Sequence, residues 1–70
     1  VLVSSLGDNR FSVFLAGASS LEIAVYDISG RERLVQAFRA DEAVVDLSSL
    51  SKGIYVLNVN GQVSQKIAVR

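Results

Sequence analysis

Seventy residues limit this chain to one small domain, and half of them are apolar, which is enough to form a hydrophobic core. Seven basic and seven acidic residues leave no net charge, so the composition favours neither nucleic acid nor an anionic membrane as a partner. The absence of cysteine and histidine excludes disulfides, thiolate metal sites and the commonest catalytic base. No apolar run is long enough to insert into a membrane. Because the chain begins with Val and shows no export signal of its own, we expect residues 1–70 to be a single domain cut from a longer protein.

The apolar residues recur with the period of two that is typical of half-buried β-strands. The opening segment VLVSSL is expected to form an edge strand. Four further strands are predicted at residues 11–16, 21–27, 33–38 and 43–47, and the last hairpin supplies two more. A helix over DEAVVDLSSL is the competing interpretation, but its paired valines and serine-rich tail disfavour it. Seven short strands at spacings near ten residues predict an all-β sandwich or barrel.

The last hairpin has two candidate registers. The pair Asn60-Gly61 favours a two-residue turn, but that register would oppose an apolar face to a polar one. We therefore expect a three-residue loop with Gly61 left-handed in a bulge, and with Leu57 paired to Val63 and Tyr55 to Gln65. This register gathers five apolar side chains on one face: Tyr55, Leu57, Val63, Ile67 and Val69.

The opposite face of this hairpin carries three apolar residues, Ile54, Val56 and Ala68, beside Ser64, Lys66 and Arg70. Either a second layer or a partly exposed sheet accounts for them, or they form an apolar strip with basic ends that a partner protein covers.

The spacing of Leu50, Gly53 and Tyr55 predicts a tyrosine corner, the motif of Greek-key sandwiches in which a core tyrosine hydroxyl bonds backbone a few residues upstream. Gly53 would let the chain turn without a Cβ clash, and Leu50 would close the end of the sandwich. The motif concerns the fold and carries no activity.

No catalytic, cofactor-binding or metal-binding site is predicted. Asp41, Glu42 and Asp46 share one loop region but lack the alternating oxygen ligands of a calcium loop. Ser51 and Lys52 are adjacent on a loop, where neighbouring side chains point apart, and no oxyanion loop accompanies them.

From about Leu21 to Arg70 the chain resembles the type A C-terminal sorting domain of cargo proteins of the type IX (Por) secretion system. The family combines an apolar hairpin x-V-Y-D/N-x-x-G-R, a block L-S-x-L-x-x-G-x-Y-x-V-x-V and a terminal segment with spaced basic residues. The corresponding segments here are IAVYDISGR, which contains Gly30, then VVDLSSLSKGIYVLNV, then QKIAVR.

The resemblance implies an Ig-like sandwich that serves as an address label and catalyses nothing. Its implied partners are an attached N-terminal cargo domain, an outer-membrane translocon that recognises the domain, and a surface sortase that removes it. The implied route runs through the periplasm to the surface of a Gram-negative bacterium. An Ig-like or fibronectin-like spacer or interaction module of an extracellular enzyme is the alternative, since a tyrosine corner suits both. A small enzyme is disfavoured.

Recognition is expected in the final hairpin, because the chain ends directly after two basic residues that share a face. Lys66 and Arg70 would lie about 13 Å apart at roughly 3.3 Å per residue, together with the terminal carboxylate. The expected recognition residues are Ile54, Val56, Lys66, Ile67, Ala68, Val69 and Arg70. Edge strands without proline also suggest a homodimer formed by edge pairing or strand exchange.

Overall fold

The computed structural model describes all residues from Val1 to Arg70 and consists of seven β-strands without a helix. No helix is present that is long and apolar enough to cross a membrane. Within the region 41–50, Glu42–Asp46 forms a strand, as the valine pair predicts, and the alternative helix is absent. The strands are β1 (Leu2–Gly7), β2 (Arg10–Phe14), β3 (Leu21–Asp27), β4 (Glu32–Phe38), β5 (Glu42–Asp46), β6 (Gly53–Val59) and β7 (Val63–Val69).

The strands form two antiparallel sheets, one with the order β1-β2-β5 and one with the order β4-β3-β6-β7. The chain passes from one sheet to the other between β2 and β3, between β4 and β5, and again between β5 and β6. Adjacent strands in the sheets are therefore often distant in sequence, as in the Greek-key connections of Ig-like sandwiches. The predicted all-β sandwich of seven short strands is confirmed.

One face of every central strand supplies the core between the sheets. Alternate residues of β3, for example Leu21, Ile23 and Val25, are fully buried, whereas Glu22 is exposed. This burial follows the period of two read from the sequence, because successive side chains of a strand point to opposite faces. Thirteen residues form the core: Phe11, Val13, Leu21, Ile23, Val25, Ala43, Val45, Leu47, Tyr55, Leu57, Val59, Ile67 and Val69.

The tyrosine corner lies where the chain enters β6 from the other sheet. The Tyr55 ring is 5% exposed, and its hydroxyl donates a hydrogen bond of 2.7 Å to the carbonyl oxygen of Ser51. Leu50 is half-buried and packs against the core. The role of Gly53 differs from the expected one, because an added Cβ would meet its nearest atom, on Tyr55, at an ordinary 3.9 Å. The backbone angle φ of 156° at Gly53, which other residues rarely adopt, is what calls for glycine.

The β6–β7 hairpin has the predicted three-residue loop, but the predicted pairs are wrong by two residues. Leu57 pairs with Gln65 and Tyr55 with Ile67, because Val59 and Val63 close the ladder around residues 60–62. Gly61 is left-handed, with φ of 66°, as predicted. A shift of two residues leaves each side chain on the same face, so the predicted apolar face is right although its partners are not.

The segment D-I-S-G-R, residues 27–31, forms the turn between β3 and β4. One Asp27 carboxylate oxygen accepts hydrogen bonds from the backbone N–H groups of Ser29 and Arg31, both at 3.0 Å, and from the Ser29 hydroxyl at 2.6 Å. These bonds, with that of the Ser29 hydroxyl foremost, lower the pKa of Asp27. Gly30 has φ of 89°, where a side chain would strain the backbone.

Candidate functional site

The outer surface of the last hairpin is formed by residues that alternate with the core residues of β6 and β7. We call Ile54, Val56, Lys66, Ala68 and Arg70 the outer hairpin face. Val56 pairs directly with Lys66 and Ile54 with Ala68, so four of these side chains lie in two adjacent cross-strand rows. Five of the seven predicted recognition residues are thus brought together on one side of the sheet.

The outer hairpin face is apolar at its centre and uncovered. Ile54 is 42% exposed, while Val56 and Ala68 are half-buried by their neighbours in the sheet. The apolar surface continues onto β3, where Tyr26 pairs with Val56. At the other end of the hairpin Asn58 donates a hydrogen bond of 3.0 Å to the Ser64 hydroxyl. The result is a small apolar surface that changes to polar groups along the strand direction.

The charge on this surface is basic and carries no ion pair. Lys66 and Arg70 are exposed, and β7 contains no acidic residue. The ion pairs of the structure lie elsewhere, between Arg10 and Asp8 and between Arg33 and Asp27. Both basic groups of the hairpin are therefore available to a carboxylate of another molecule.

The other two predicted recognition residues, Ile67 and Val69, face the core. Their exposed fractions are 6% and 2%, because Ile67 lies opposite Tyr55 and Val69 opposite Gly53 on the inner face of the sheet. Their side chains hold β7 against the core, and a partner that docks on the folded domain does not reach them.

The end of β7 is held in place by a contact that the sequence did not predict. The side-chain amide of Asn9, in the β1–β2 turn of the other sheet, donates to the Arg70 backbone oxygen at 2.8 Å. Its Oδ1 atom accepts from the Arg70 N–H at 2.9 Å. We call this pair of bonds the Asn9 clamp. The clamp joins positions that are 61 residues apart in the sequence. Asn9 lies in a turn in which both Asp8 and Asn9 have positive φ.

Beside the clamp lies an open groove between the two sheets. It has a volume of about 750 Å³ and is lined by residues of β1, the following turn, β2 and β7. Phe11 lies at its floor with only 7% exposed, and Ala68 and Arg70 form the β7 wall. The groove contains no arrangement of nucleophile and base.

Two of the acidic residues, Asp27 and Asp46, accept hydrogen bonds that stabilise turns. Asp46 accepts a hydrogen bond from the Ser48 N–H at 2.9 Å, and its hydrogen bonding with Ser48 lowers the pKa of Asp46. No group of three or more acidic side chains that could hold a metal ion occurs in the structure. Ser51 and Lys52 are both exposed, and Ser51 contributes its carbonyl oxygen to the tyrosine corner.

Comparison with known protein families assigns the chain to one of them. Residues 8–70 match the family model described as the secretion system C-terminal sorting domain. The chain belongs to this family. No curated protein matches the chain significantly, and no solved structure does. The family match begins at Asp8, ahead of the Leu21 at which the sequence resemblance was placed, and so includes the turn that carries the Asn9 clamp.

Membership of the family defines the general role of the domain. It is a type IX secretion C-terminal sorting signal, a domain that the secretion machinery recognises and that is attached to a cargo. Such a signal directs secretion to the cell surface or the extracellular space. A sorting signal is not itself catalytic.

Proposed function

We propose that residues 1–70 form the single C-terminal domain of a larger cargo protein, and that the outer hairpin face is the surface that the outer-membrane translocon recognises. The cargo would cross the periplasm before export, and a surface sortase would then remove the domain. The observation that supports this most is the uncovered apolar centre of the outer hairpin face, flanked by two unpaired basic side chains. Apolar area with a charged rim is the usual anatomy of a protein interface.

The basic part of the proposal is tested by export of a periplasmic reporter fused to residues 1–70 in a host that carries the secretion system. We expect the double change Lys66→Glu and Arg70→Glu to reduce surface display at least tenfold. The matched control is Lys52→Glu with Arg39→Glu, which reverses two exposed charges outside the hairpin. Equal export of both folded variants would contradict the proposal.

The apolar part of the proposal is tested by a second pair of variants, one on the outer hairpin face and one control. Ile54→Ser removes an exposed apolar side chain from the outer hairpin face, and Val44→Ser removes one, 51% exposed, from the opposite sheet. We expect a loss of surface display for Ile54→Ser alone. Circular dichroism of each purified domain verifies folding, so that a loss of export is assigned to recognition and not to stability.

Two finer parts of the proposal have separate measurements. Removal by the sortase predicts that the surface-bound reporter is shorter than the periplasmic form by the mass of the domain, about 7.5 kDa. A homodimer formed by strand exchange, or by pairing of a strand edge other than that of β7, predicts a doubled mass in light scattering at high concentration. A reporter of unchanged mass, or a domain that stays monomeric, would refute the respective statement.

A further inference from the structure

The Asn9 clamp reveals which backbone groups of β7 are free. Asn9 bonds both the N–H and the carbonyl oxygen of Arg70, on the side of the strand away from β6. In an antiparallel ladder both groups of one residue point to the same side, and the side alternates along the strand. Ser64, Lys66 and Ala68 therefore present their N–H and carbonyl groups to the free edge of β7. None of these residues takes part in the backbone hydrogen bonds outside the strand ladders.

The edge of β7 lacks the devices that protect the other sheet edges. In β1 a register shift lies between Ser5 and Gly7, and the pairing of β3 with β4 shifts between Val25 and Tyr26. Strand β5 is shorter, with five residues against seven in β7. The β6–β7 register is regular over its whole length. A long, regular, unpaired edge is a template for an added strand.

The charges beside this edge indicate what kind of strand can bind there. Lys66 in β7 and Arg70, directly after the strand, lie four residues apart on the outer hairpin face, and β7 contains no acidic residue. Pairing of β7 with β7 of a second copy would bring like charges together across the new ladder, which is destabilising. A strand with carboxylates four residues apart would place one opposite Lys66 and the other beyond the last backbone bond of the added ladder, toward the Arg70 side chain. The groove beside Ala68 has room for the side chains that such a strand would point inward.

We propose that the free edge of β7 binds an extended acidic segment of a partner protein by strand addition, and that the Asn9 clamp fixes where the added strand stops. The Asn9 amide already occupies the last position of the ladder, at Arg70, so the added strand pairs with Ala68, Lys66 and Ser64. The inference rests on the proposed function, since the partner is the translocon that recognises the outer hairpin face.

A peptide titration tests the binding mode on the isolated chain. The probe is a synthetic peptide with the sequence of residues 41–47, DEAVVDL, whose second and sixth residues are carboxylates four positions apart. On adding it to ¹⁵N-labelled domain at low salt, we expect slowed amide exchange at Ser64, Lys66 and Ala68. A peptide with Gln and Asn in place of those two carboxylates should bind about fivefold more weakly, as expected for two exposed ion pairs.

Two results of the titration would overturn the proposal. One is protection elsewhere in the domain with none at the three free-edge amides. The other is concentration-dependent association of the chain with itself that the changes Glu42→Gln and Asp46→Asn abolish, because the occupant would then be β5 of a second copy.

Proline substitution tests the edge during export. Proline lacks the N–H group and is tolerated where that group faces solvent. Ala68→Pro removes a donor from the free edge of β7. The control Val44→Pro does the same on β5. The Asp41 carbonyl oxygen accepts a hydrogen bond from the N–H of Leu15, directly after β2, and the Leu47 N–H donates to the carbonyl oxygen of Asn9, directly before β2. Because the direction alternates along the strand, the N–H of Val44 points to the free edge of β5.

We expect Ala68→Pro to lower surface display of the reporter at least tenfold and Val44→Pro to leave it unchanged. Equal display of both folded variants would refute strand addition while leaving the sorting function intact. Failure of the unmodified domain to export the reporter would instead refute the sorting function. If Ala68→Pro does not fold, the peptide titration decides.

Discussion

The hydrogen bond of the tyrosine corner should be measurable as a difference between two conservative substitutions. Tyr55→Phe removes the 2.7 Å bond to the Ser51 carbonyl and keeps the buried ring in place. Because Ser51 is exposed, water can solvate the carbonyl oxygen that loses its partner, so the loss stays near the net value of one hydrogen bond. We expect the free energy of unfolding to fall by about 1 kcal/mol, a factor of about five in the equilibrium constant.

The assay is urea denaturation followed by circular dichroism, with Tyr26→Phe as the matched control. Tyr26 lies on the outer side of β3, and its hydroxyl forms no hydrogen bond within the protein, so its change should stay within about 0.5 kcal/mol. Tyr55→Ala also empties a core position and should lose roughly 3–5 kcal/mol, enough to unfold a domain of this size. Equal stabilities of the two Phe variants would refute the assignment of the corner as a stabilising bond.

Three further substitutions test the turns. The pKa of Asp27 is lower in the folded protein than in the unfolded chain, where it is about 3.9. The stability that this difference contributes is complete above the unfolded pKa and is lost as pH falls through the folded pKa. Asp27→Asn should therefore flatten the decline of the unfolding free energy below about pH 4. Asn9→Gly keeps the left-handed backbone but removes the clamp, so Arg70 amide exchange should accelerate, whereas Asp8→Gly in the same turn should leave it unchanged. Gly30→Ala should lower the unfolding free energy by about 1 kcal/mol, because φ of 89° strains an L-residue; no change in its urea midpoint would refute that reason.

The sequence by itself determined the strands, the core face and the tyrosine corner, because each depends on local spacing. The range of β3 agrees with the alternation of Leu21, Ile23 and Val25, and the starts of β4 and β5 lie within one residue of their predicted positions. The ring and hydroxyl of Tyr55 occupy the environments that the spacing from Leu50 and Gly53 indicates. These features require only that side chains alternate across a strand and that apolar ones leave water.

Only the tertiary structure decided how the strands divide between the sheets, which hairpin pairs form and how β7 ends. Registers two residues apart bury the same face, so hydrophobicity could not separate the pair Tyr55–Gln65 from the observed Tyr55–Ile67. The same burial makes Ile67 and Val69 core residues and leaves Lys66 and Ala68 outside. The Asn9 clamp spans 61 residues, and such a contact exists only once both sheets have packed and brought the β1–β2 turn beside the end of β7.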